Sequence, residues 1–480
     1  MNRTIAIHKY LLKTCILITL IILLLTLHIQ VPEKNQFIKD VSNQISFSFK
    51  PQAKFVSFLP PHKIQSRNEA LYIKKLENLE RGVLIPPEDV YTPVPGAINL
   101  GLVIVKIDNY EGNKTLDEES FRYGFVYKVM RTMNQLLQRA GPTPIHFIIV
   151  TDVKSSSWAG RIVRTTISQR LALDIIQTRY FQWRKMPSLP PLYFSLVDSG
   201  EILKLNPGFN QGMKENLMPT DKTDKYRSDF YYIAPNYHKA FLSLDRAVFI
   251  DATDLEFTID IKELYNEYYA LDQTEAIMSL SLDLAPHYFL FLSDYRKKNP
   301  GTVFGQPGRY QGFNTGVVLY RFDRMRENEV YNSFLTREKV NFLIQKFGFQ
   351  ISLAEQDFFT NLGFIHPELF HILPCTFNKQ ESIQYNAAPF ESIFNAYHDC
   401  VPKKDIKIFH LNGCGPNHKD CGQNPAPGSK FYNDTKSQFL HMDMQVFWMN
   451  AVTRATGNKA WEQNYYYDKL KLFRHLQQDP

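Results

Sequence analysis

An apolar run that ends in two closely spaced carboxylates is the feature that most constrains how this 480-residue chain folds. The run at 247–250 (Ala-Val-Phe-Ile) is typical of a buried strand, and Asp251 and Asp254 follow it. Carboxylates at the end of a buried strand lose hydration, and a divalent cation shared with phosphate oxygens would offset that loss. The pattern therefore predicts a metal site for a diphosphate-bearing substrate. A structural alternative is that Thr253 or Asp254 caps a helix, which we predict at Ile259–Tyr269.

Strand and helix patterns alternate along the chain before this run. We predict strands at Leu100–Ile107, Ile145–Thr151 and Leu192–Val197, helices at Phe121–Ala140 and Ile162–Phe181, and a loop at Asn206–Tyr226. This order is typical of parallel strands joined by helices, so the chain should adopt an α/β fold. Ligands of such sheets bind beyond the carboxyl ends of the strands. The polar residues expected there are Lys106, Asp108, Thr151, Asp152, Asp251 and Asp254.

Two later motifs carry side chains that suit a sugar. Asn314 and Thr315 lie between two glycines, ahead of a predicted strand at Val317–Tyr320, and suit hydrogen bonds to sugar hydroxyls. A plain turn is the alternative for that motif. Gln356 lies in a segment that opens a helix, Leu353–Phe359, where its amide suits a neutral sugar. The alternative there is a set of acids that only satisfy the helix N-terminus.

A third motif offers a nitrogen ligand. The segment Ile406–Gly413 is predicted to be a short strand that ends at His410. An imidazole at that end would complete a carboxylate metal site. The alternative is a histidine with a structural role.

The N-terminal region predicts a membrane anchor. Residues 10–31 are apolar apart from Lys13, His28 and Gln30, which reaches the length of about 20 residues that a bilayer needs. Because Arg3, Lys9 and Lys13 lie in or before this segment, the N-terminus should stay cytosolic and the remainder should be lumenal. No small-residue cleavage site follows, which disfavours a cleaved signal peptide. We therefore expect a single-pass type II protein of the endoplasmic reticulum or Golgi membrane.

Composition and patterning divide the chain into five parts. The parts are a cytoplasmic tail (1–9), a signal-anchor helix (10–31), a lumenal stem (32–97), a catalytic domain (98–425) and a helical C-terminal extension (426–480). The net charge of +7 is mild for this length and forms no dense basic block, so nucleic-acid binding is not expected.

Cysteines and glycosylation sequons agree with a lumenal body. Cys15 lies in the anchor, whereas four other cysteines cluster late in the chain: Cys375, Cys400, Cys414 and Cys421. The cluster predicts one or two disulfides; zinc is the alternative, although no Cys-x-x-Cys spacing is present. Asn113 and Asn433 stand in lumenal Asn-x-Thr sequons and are predicted N-glycosylation sites.

In their order along the chain, these motifs resemble those of the family 8 retaining glycosyltransferases, which have a GT-A fold. The motifs are the acidic pair after a buried strand, Gly-Phe-Asn-Thr-Gly-Val-Val-Leu from Gly312, Glu-Gln-Asp-Phe-Phe from Glu355, and Phe-His-Leu-Asn-Gly from Phe409. Within the family, Gly312–Arg326 and Gln356–Cys375 are most similar to the branch of xyloside xylosyltransferases. The resemblance implies a Rossmann-like mixed sheet flanked by helices.

The resemblance also implies roles for individual residues. The implied metal ligands are Asp251, Asp254 and His410, and the implied donor-binding residues are Ile104, Val105, Lys106, Ala252, Thr253, Asn314, Thr315, Leu353, Gln356 and Asn412. Gln356 would lie nearest the anomeric carbon and position the sugar, which makes it the catalytic candidate. The implied cofactor is Mn²⁺, with Mg²⁺ as the alternative.

The chain departs from the family pattern at the acidic motif and near Leu290–Ser293, where no clear acceptor-contacting motif remains, and it also lacks one family cysteine. The family has Asp-x-Asp, whereas the acidic motif here, Asp251 to Asp254, is one residue longer. The extra residue is either absorbed as a bulge or displaces one ligand. The spacing of Cys375 and Cys400 matches a family disulfide. A second family cysteine is replaced near Ser382, so Cys414 lacks its family partner; a pairing of Cys414 with Cys421 is one alternative and stays open.

The activity implied by this resemblance is retaining transfer of xylose from UDP-xylose, in α1,3 linkage, to a xylosyl-glucose glycan on the EGF repeats of a Notch-type glycoprotein. One alternative is another transferase of the same family, specific for a glucoside acceptor or for glucose. A second alternative, from a different class, is an inactive GT-A domain that acts as a lectin-like or scaffold protein. A homodimer is left open.

Overall fold

Parallel strands form one half of the central sheet, in agreement with the alternating pattern of the sequence. The computed structural model describes residues 79, 81–105, 118–176, 190–217, 229–348, 353–380, 396–397, 406–410 and 412. All of them fall within one compact unit, His62–Asp434. The strands are β1 Ile98–Ile104, β2 Ile145–Thr151, β3 Leu192–Asp198, β4 Arg246–Ile250, β5 Leu255–Phe257, β6 Met278–Leu282, β7 Phe313–Arg321, β8 Phe370–Ile372, β9 Lys379–Gln380 and β10 Ile408–His410.

The central sheet has seven strands in the order β3-β2-β1-β4-β7-β6-β8. Strands β3, β2, β1 and β4 are parallel to one another, and β8 is parallel to β6, whereas β7 runs antiparallel to both β4 and β6. Strand β2 is buried along its whole length and β1 along most of it, because helices cover both faces of a parallel sheet. The sheet is therefore mixed, as the resemblance implies.

A second, three-stranded sheet has the order β5-β10-β9. Strand β10 runs antiparallel to β5, with His410 opposite Leu255, and parallel to β9. Because β5 begins directly after Asp254, this small sheet carries the late part of the chain to the end of β4.

Helices pack on both faces of the central sheet. They are α1 Glu118–Arg139, α2 Ser156–Ile176, α3 Ser199–Lys204, α4 Pro207–Leu217, α5 Tyr237–Ala240, α6 Ile261–Tyr265, α7 Tyr268–Asp272, α8 His287–Phe291, α9 Ser293–Lys298, α10 Phe322–Glu327, α11 Glu329–Ser333, α12 Arg337–Phe347 and α13 Glu355–Ile365. Short 3₁₀ helices lie at Pro87–Asp89, Asp229–Tyr232, Ala234–Asn236, Pro367–Leu369 and Cys375–Phe377. Helix α12 shows how local sequence sets such bounds. The Thr336 side chain caps its first turn, and Gly348 ends it in the left-handed region at φ 71°.

Two apolar clusters form the core. One joins α1 and α2 to one face of the sheet through residues such as Leu100 and Met133. The other joins α4, α12 and α13 to the opposite face through residues such as Phe249 and Phe358. Alternate residues of β2 contribute to each cluster, which is the two-residue periodicity of a strand buried on both sides.

The structure corrects several predicted elements. The predicted loop Asn206–Tyr226 contains helix α4, since Pro207 begins a helix readily and the apolar residues Phe209 and Met213 lie one turn apart and are buried. The single helix predicted at Ile259–Tyr269 is two short helices, α6 and α7. Strand β7 begins at Phe313, four residues before the predicted start, so the Asn314 motif belongs to the strand.

The predicted membrane anchor at 10–31 lies outside the described residues. No helix among the described residues is both long and apolar enough to span a bilayer.

Candidate active site

The polar site lies where β4 ends. Asp251 follows β4 directly, and its backbone N–H donates to the carbonyl of Gly316 in β7 at 2.8 Å. Asp254 precedes β5, and β10 pairs with β5 so that His410 faces the same loop. Sheet pairing therefore brings an imidazole from a distant part of the sequence to two neighbouring carboxylates.

The three side chains converge as a metal site requires. One ligand atom from each of Asp251, Asp254 and His410 lies within 4.8 Å of the other two. The Nε2 atom of His410 is 3.9 Å from Oδ2 of Asp251. The structure thus brings the three predicted ligands together, and their binding of a metal stays a prediction. The alternative that Thr253 or Asp254 caps a helix is wrong. Strand β5 follows the motif, and Asp260 caps α6 instead.

A chain of hydrogen bonds sets the orientation and tautomer of His410. The Gly316 backbone N–H donates to Oδ1 of Asn314 at 3.0 Å, so that atom is the amide oxygen. The same oxygen accepts from Nδ2 of Asn378 at 2.9 Å, which leaves Oδ1 of Asn378 to face Nδ1 of His410 at 3.0 Å. Because an amide oxygen only accepts, the imidazole proton lies on Nδ1. The lone pair is then on Nε2, on the side of Asp251, which is how metal-binding histidines are usually held.

Each carboxylate also has a partner at one oxygen. Oδ1 of Asp251 accepts from the backbone N–H and the hydroxyl of Thr253, both at 3.0 Å. Oδ1 of Asp254 accepts from Nζ of Lys128 on α1 at 3.2 Å, and both of these side chains are largely buried. The three candidate ligands are thus all fixed by neighbouring groups.

This donor set fits the implied cofactor. Two carboxylates and one neutral imidazole provide hard oxygen ligands with a single nitrogen, which suits Mn²⁺ and is less suited to an all-oxygen Mg²⁺ site. One oxygen of each carboxylate is bound by the protein, and this geometry favours one coordinating oxygen from each.

Gln356 lies at the start of α13, and both ends of its amide are bound. Its Oε1 accepts from the backbone N–H of Thr315 at 3.3 Å, and its Nε2 donates to the hydroxyl of Tyr288 at 3.3 Å. Tyr288 in turn donates to Oδ1 of Asp357, whose Oδ2 accepts from the backbone N–H of Leu353. This network ties Gln356, Thr315 and Leu353, all predicted donor-site residues, to one rigid unit.

Glu355 is the functional candidate that sequence reasoning missed. Its Oε2 is buried and accepts no hydrogen bond, and burial raises the pKa of this carboxyl to about 8, with the charges of Asp357 and Asp251 adding to the effect. The preceding residue, Ala354, has φ 57° and is the one non-glycine residue with positive φ in the described part of the chain. A strained backbone next to a buried, unsatisfied carboxyl is typical of a functional site.

Asp357 is a second buried carboxyl of this helix. Burial raises its pKa to about 7, opposed by its hydrogen bonds from Leu353 and Tyr288. These two bonds are consistent with a supporting role toward Gln356. The sequence shows Asp357 only as one of several acids at a helix start, and its burial is visible only in the fold.

The remaining predicted residues stand as follows. Ile104 ends β1 and is buried, Val105 follows it, and Ala252 is buried within the acidic loop. Asn412 follows β10 and has a buried side-chain oxygen without a hydrogen-bond partner, as expected for an atom that meets a ligand. Asn314 is buried, and its side-chain oxygen accepts a hydrogen bond from Asn378, the residue that orients His410. The predicted residues that lie outside the described part are Lys106, Asp108, Asn113, Cys400, Cys414, Cys421 and Asn433.

Cys375 forms a disulfide, in agreement with the one or two disulfides predicted for the late cysteines. Since Cys375 is the sole cysteine among the described residues, its partner lies outside them. The pairing with Cys400 stays a prediction.

Comparison with known proteins supports a glycosyltransferase fold. No protein-family model matches the chain. Human xyloside xylosyltransferase 1 is 35% identical over 161 residues, which cover 33% of this chain and 40% of that protein. The mouse protein of the same name is 31% identical over 190 residues, covering 39% of this chain and 47% of that protein. This chain thus spans less than half the length of either curated relative.

The fold comparison reaches further along the chain. The crystal structure of mouse xyloside xylosyltransferase 1 in its apo form superposes with a TM-score of 0.53 at 24% identity, covering 67% of this chain and all of that one. Together with the mixed sheet and its flanking helices, this establishes a GT-A glycosyltransferase fold.

Proposed function

We propose that this chain is a metal-dependent retaining glycosyltransferase that moves xylose from UDP-xylose, in α1,3 linkage, to a xylosyl-glucose O-glycan on an EGF-repeat glycoprotein. The observation that carries the proposal is the convergence of Asp251, Asp254 and His410, each held by a neighbouring group, at the end of β4. Ligands of α/β sheets bind at this position. The choice of xylose is supported by the human and mouse relatives, both named xyloside xylosyltransferases.

The proposal includes the setting of the enzyme. A single-pass anchor at 10–31 would hold the catalytic domain, 98–425, in the lumen of the endoplasmic reticulum or Golgi. The proposed N-glycans at Asn113 and Asn433 and the disulfide at Cys375 suit that compartment. Mn²⁺ is the proposed cofactor and an EGF-repeat glycoprotein the proposed acceptor.

Donor binding is assigned to residues around the metal ligands. A bound Mn²⁺ would neutralise the charge that develops on UDP as it leaves. That ion would be held by Asp251, Asp254 and His410. The side-chain amide of Asn412, whose oxygen is buried without a hydrogen-bond partner, would bind the donor. The nucleotide would be bound at and beyond the end of β1, by Ile104, Val105 and Lys106.

Sugar positioning is assigned to the start of α13. Gln356 is held at both ends of its amide and would present a fixed dipole to the anomeric carbon rather than act as a nucleophile. The buried Oε2 of Glu355 would accept a hydrogen bond from a xylose hydroxyl, which satisfies an otherwise unpaired atom. Asp357 would act indirectly, through Tyr288.

The transfer step follows from retention of configuration. The bond between the anomeric carbon and the UDP oxygen breaks, and a bond from the acceptor hydroxyl oxygen forms on the same face of the sugar. The hydroxyl proton passes to an oxygen of the β-phosphate as UDP departs. No side chain then needs to serve as a general base, in keeping with Gln356, which carries no basic group.

The longer acidic motif supports a second candidate, an inactive GT-A domain with a lectin-like or scaffold role. If the extra residue disrupted metal binding, such a protein would bind UDP weakly and without dependence on metal. The two candidates therefore differ in a measurable property.

The test uses the full-length chain, purified in detergent and supplied with a xylosyl-glucose-modified EGF repeat. UDP-xylose, UDP-glucose and UDP-galactose are compared with Mn²⁺ and with EDTA, for the wild-type protein and for Asp254→Asn. Asp245→Asn is the matched control, because Asp245 precedes β4 with a side chain 80% exposed.

We expect xylose transfer that requires Mn²⁺, is lost in Asp254→Asn and persists in Asp245→Asn. Transfer of glucose alone would indicate another enzyme of the same fold. A folded wild-type protein that neither transfers nor hydrolyses any donor would support the inactive domain.

A further inference from the structure

The acidic loop between β4 and β5 contains one residue more than an Asp-x-Asp motif. We propose that Thr253, within this longer loop, is a positioning residue that fixes Asp251 for metal binding. This inference rests on the proposed metal site. It assigns to Thr253 a role in presenting a ligand, which differs from the direct donor contact that the family resemblance implies.

Two donors from Thr253 converge on a single carboxylate oxygen. The backbone N–H and the side-chain hydroxyl are each 3.0 Å from Oδ1 of Asp251. An ionised carboxylate only accepts hydrogen bonds, so the hydroxyl donates here. With Oδ1 bound twice, Oδ2 is the oxygen that faces His410, at 3.9 Å from Nε2.

The backbone of Asp251 is fixed as well. Its N–H donates to the carbonyl of Gly316 on the neighbouring strand, whose Cα lies against the His410 ring. Main chain and side chain of Asp251 are therefore both held before an ion binds. A ligand that is already oriented loses little conformational entropy on binding, and for that reason partners of metal ligands affect metal affinity.

The proposal predicts that Asp251 coordinates through one oxygen. If the Thr253 hydroxyl is removed, the backbone N–H alone holds Oδ1, and the carboxylate gains rotational freedom. Metal affinity should then fall even though all three ligands remain.

The experiment measures Mn²⁺ binding directly, without donor or turnover, from the paramagnetic resonance signal of free Mn²⁺ in a titration of the full-length protein. Thr253→Val keeps the shape and removes the hydroxyl, and we expect it to weaken Mn²⁺ binding by about tenfold or more. Thr253→Ser restores a hydroxyl and should bind close to wild type. Thr253→Ala provides a second variant without the hydroxyl, with less branching at Cβ.

Thr336→Val is the control for stability. Thr336 caps α12 through its side chain, so its loss should lower the unfolding temperature and leave Mn²⁺ affinity unchanged. UDP binding in EDTA is measured for every variant, because a donor contact by Thr253 would weaken it, whereas a positioning role would not.

Wild-type Mn²⁺ affinity in folded Thr253→Val and Thr253→Ala would overturn the inference, and so would weaker UDP binding in EDTA. In either case, loss of Mn²⁺ binding in Asp254→Asn would still support the proposed metal site. A wild-type protein that binds no Mn²⁺ would overturn the proposed function itself.

Discussion

The imidazole of His410 lies directly against Gly316. A Cβ atom at position 316 would come within 2.4 Å of Cε1 and 2.5 Å of Nδ1 of that ring. The contact joins β7 of the central sheet to β10 of the small sheet, and the same glycine supplies the N–H from which the hydrogen-bond chain to His410 begins. Space, rather than backbone conformation, requires glycine at this position.

Gly316→Ala should therefore displace His410. We expect Mn²⁺ affinity to fall by about tenfold or more, since the ring is pushed from its ligand position. The measurement is the same Mn²⁺ titration, with unfolding temperature recorded in parallel. Gly208→Ala is the control, because nothing lies within 4 Å of a Cβ there. Unchanged Mn²⁺ binding in folded Gly316→Ala would show that His410 is not a ligand.

Gln356→Ala should reduce turnover far more than it reduces UDP binding. The residue is held toward the proposed sugar site, and UDP carries no xylose, so the loss should fall on kcat and amount to about 100-fold. The check compares kcat with the Kd of UDP in the presence of Mn²⁺. Gln306→Ala is the control, since Gln306 is exposed. Equal losses in kcat and in UDP affinity would exclude a role of Gln356 in positioning the sugar for transfer.

Glu355→Gln should stabilise the protein and impair transfer. The substitution removes a buried carboxyl whose pKa is raised to about 8, so we expect a gain on the order of 1–2 kcal/mol in unfolding free energy. The loss of a carboxyl oxygen at this position should at the same time reduce xylose transfer. Denaturant unfolding tests the expected gain in stability, and kcat/KM tests the expected loss of transfer. A variant that is less stable and equally active would contradict both.

Lys128→Met should tighten Mn²⁺ binding in the absence of donor. Nζ of Lys128 lies 3.2 Å from Oδ1 of Asp254 and repels a cation at that carboxylate. We expect an increase in affinity of about 3- to 10-fold, as partial solvent screening reduces the bare Coulomb interaction. Arg139→Met, an exposed position on the same helix, removes one charge far from the carboxylates and is the control. Weaker binding in Lys128→Met would instead mean that the lysine mainly orients Asp254.

The contribution of His146 to fold stability should decrease as the pH falls from about 6.5 to about 4, whereas the raised pKa values of Glu355 and Asp357 act in the opposite direction. Burial lowers the pKa of this histidine from 6.5 to about 4, while its ring nitrogens lie near Asn99 Oδ1 and Ser195 Oγ. The unfolded chain binds a proton first, so stability present above pH 6.5 is lost through this window, by about 2–3 kcal/mol. Denaturant unfolding at pH 7 and pH 4.5 measures it. Relative to pH 7, the unfolding free energy at pH 4.5 should be higher by about 2–3 kcal/mol in His146→Gln than in the wild type, and an unchanged pH dependence would exclude this contribution of His146.

Local patterns were sufficient for much of the parallel half of the sheet. Strands β1 to β4 and helix α1 form where apolar periodicity predicts them, within a few residues at their ends, whereas α2 begins at Ser156, six residues before its predicted start. Strand β6 went unpredicted, although Met278 and Leu280 alternate with serines, because Ser279 and Ser281 are themselves buried. Helix α4 was predicted to be a loop because its segment is rich in Gly, Asn and Lys and begins with Pro207.

Spacing and apolar periodicity are local properties, and they suffice to predict two carboxylates after a buried strand and a resemblance to a family with a GT-A fold. Three relationships are visible only in the folded chain: His410 meets Asp251 and Asp254, Thr253 and Lys128 hold the two carboxylates, and Oε2 of Glu355 is buried without a hydrogen-bond partner. These relationships arise from the pairing of β10 with β5 and of β7 with β4. Strand pairing joins residues that are far apart along the chain, and no local pattern records which residues it brings into contact.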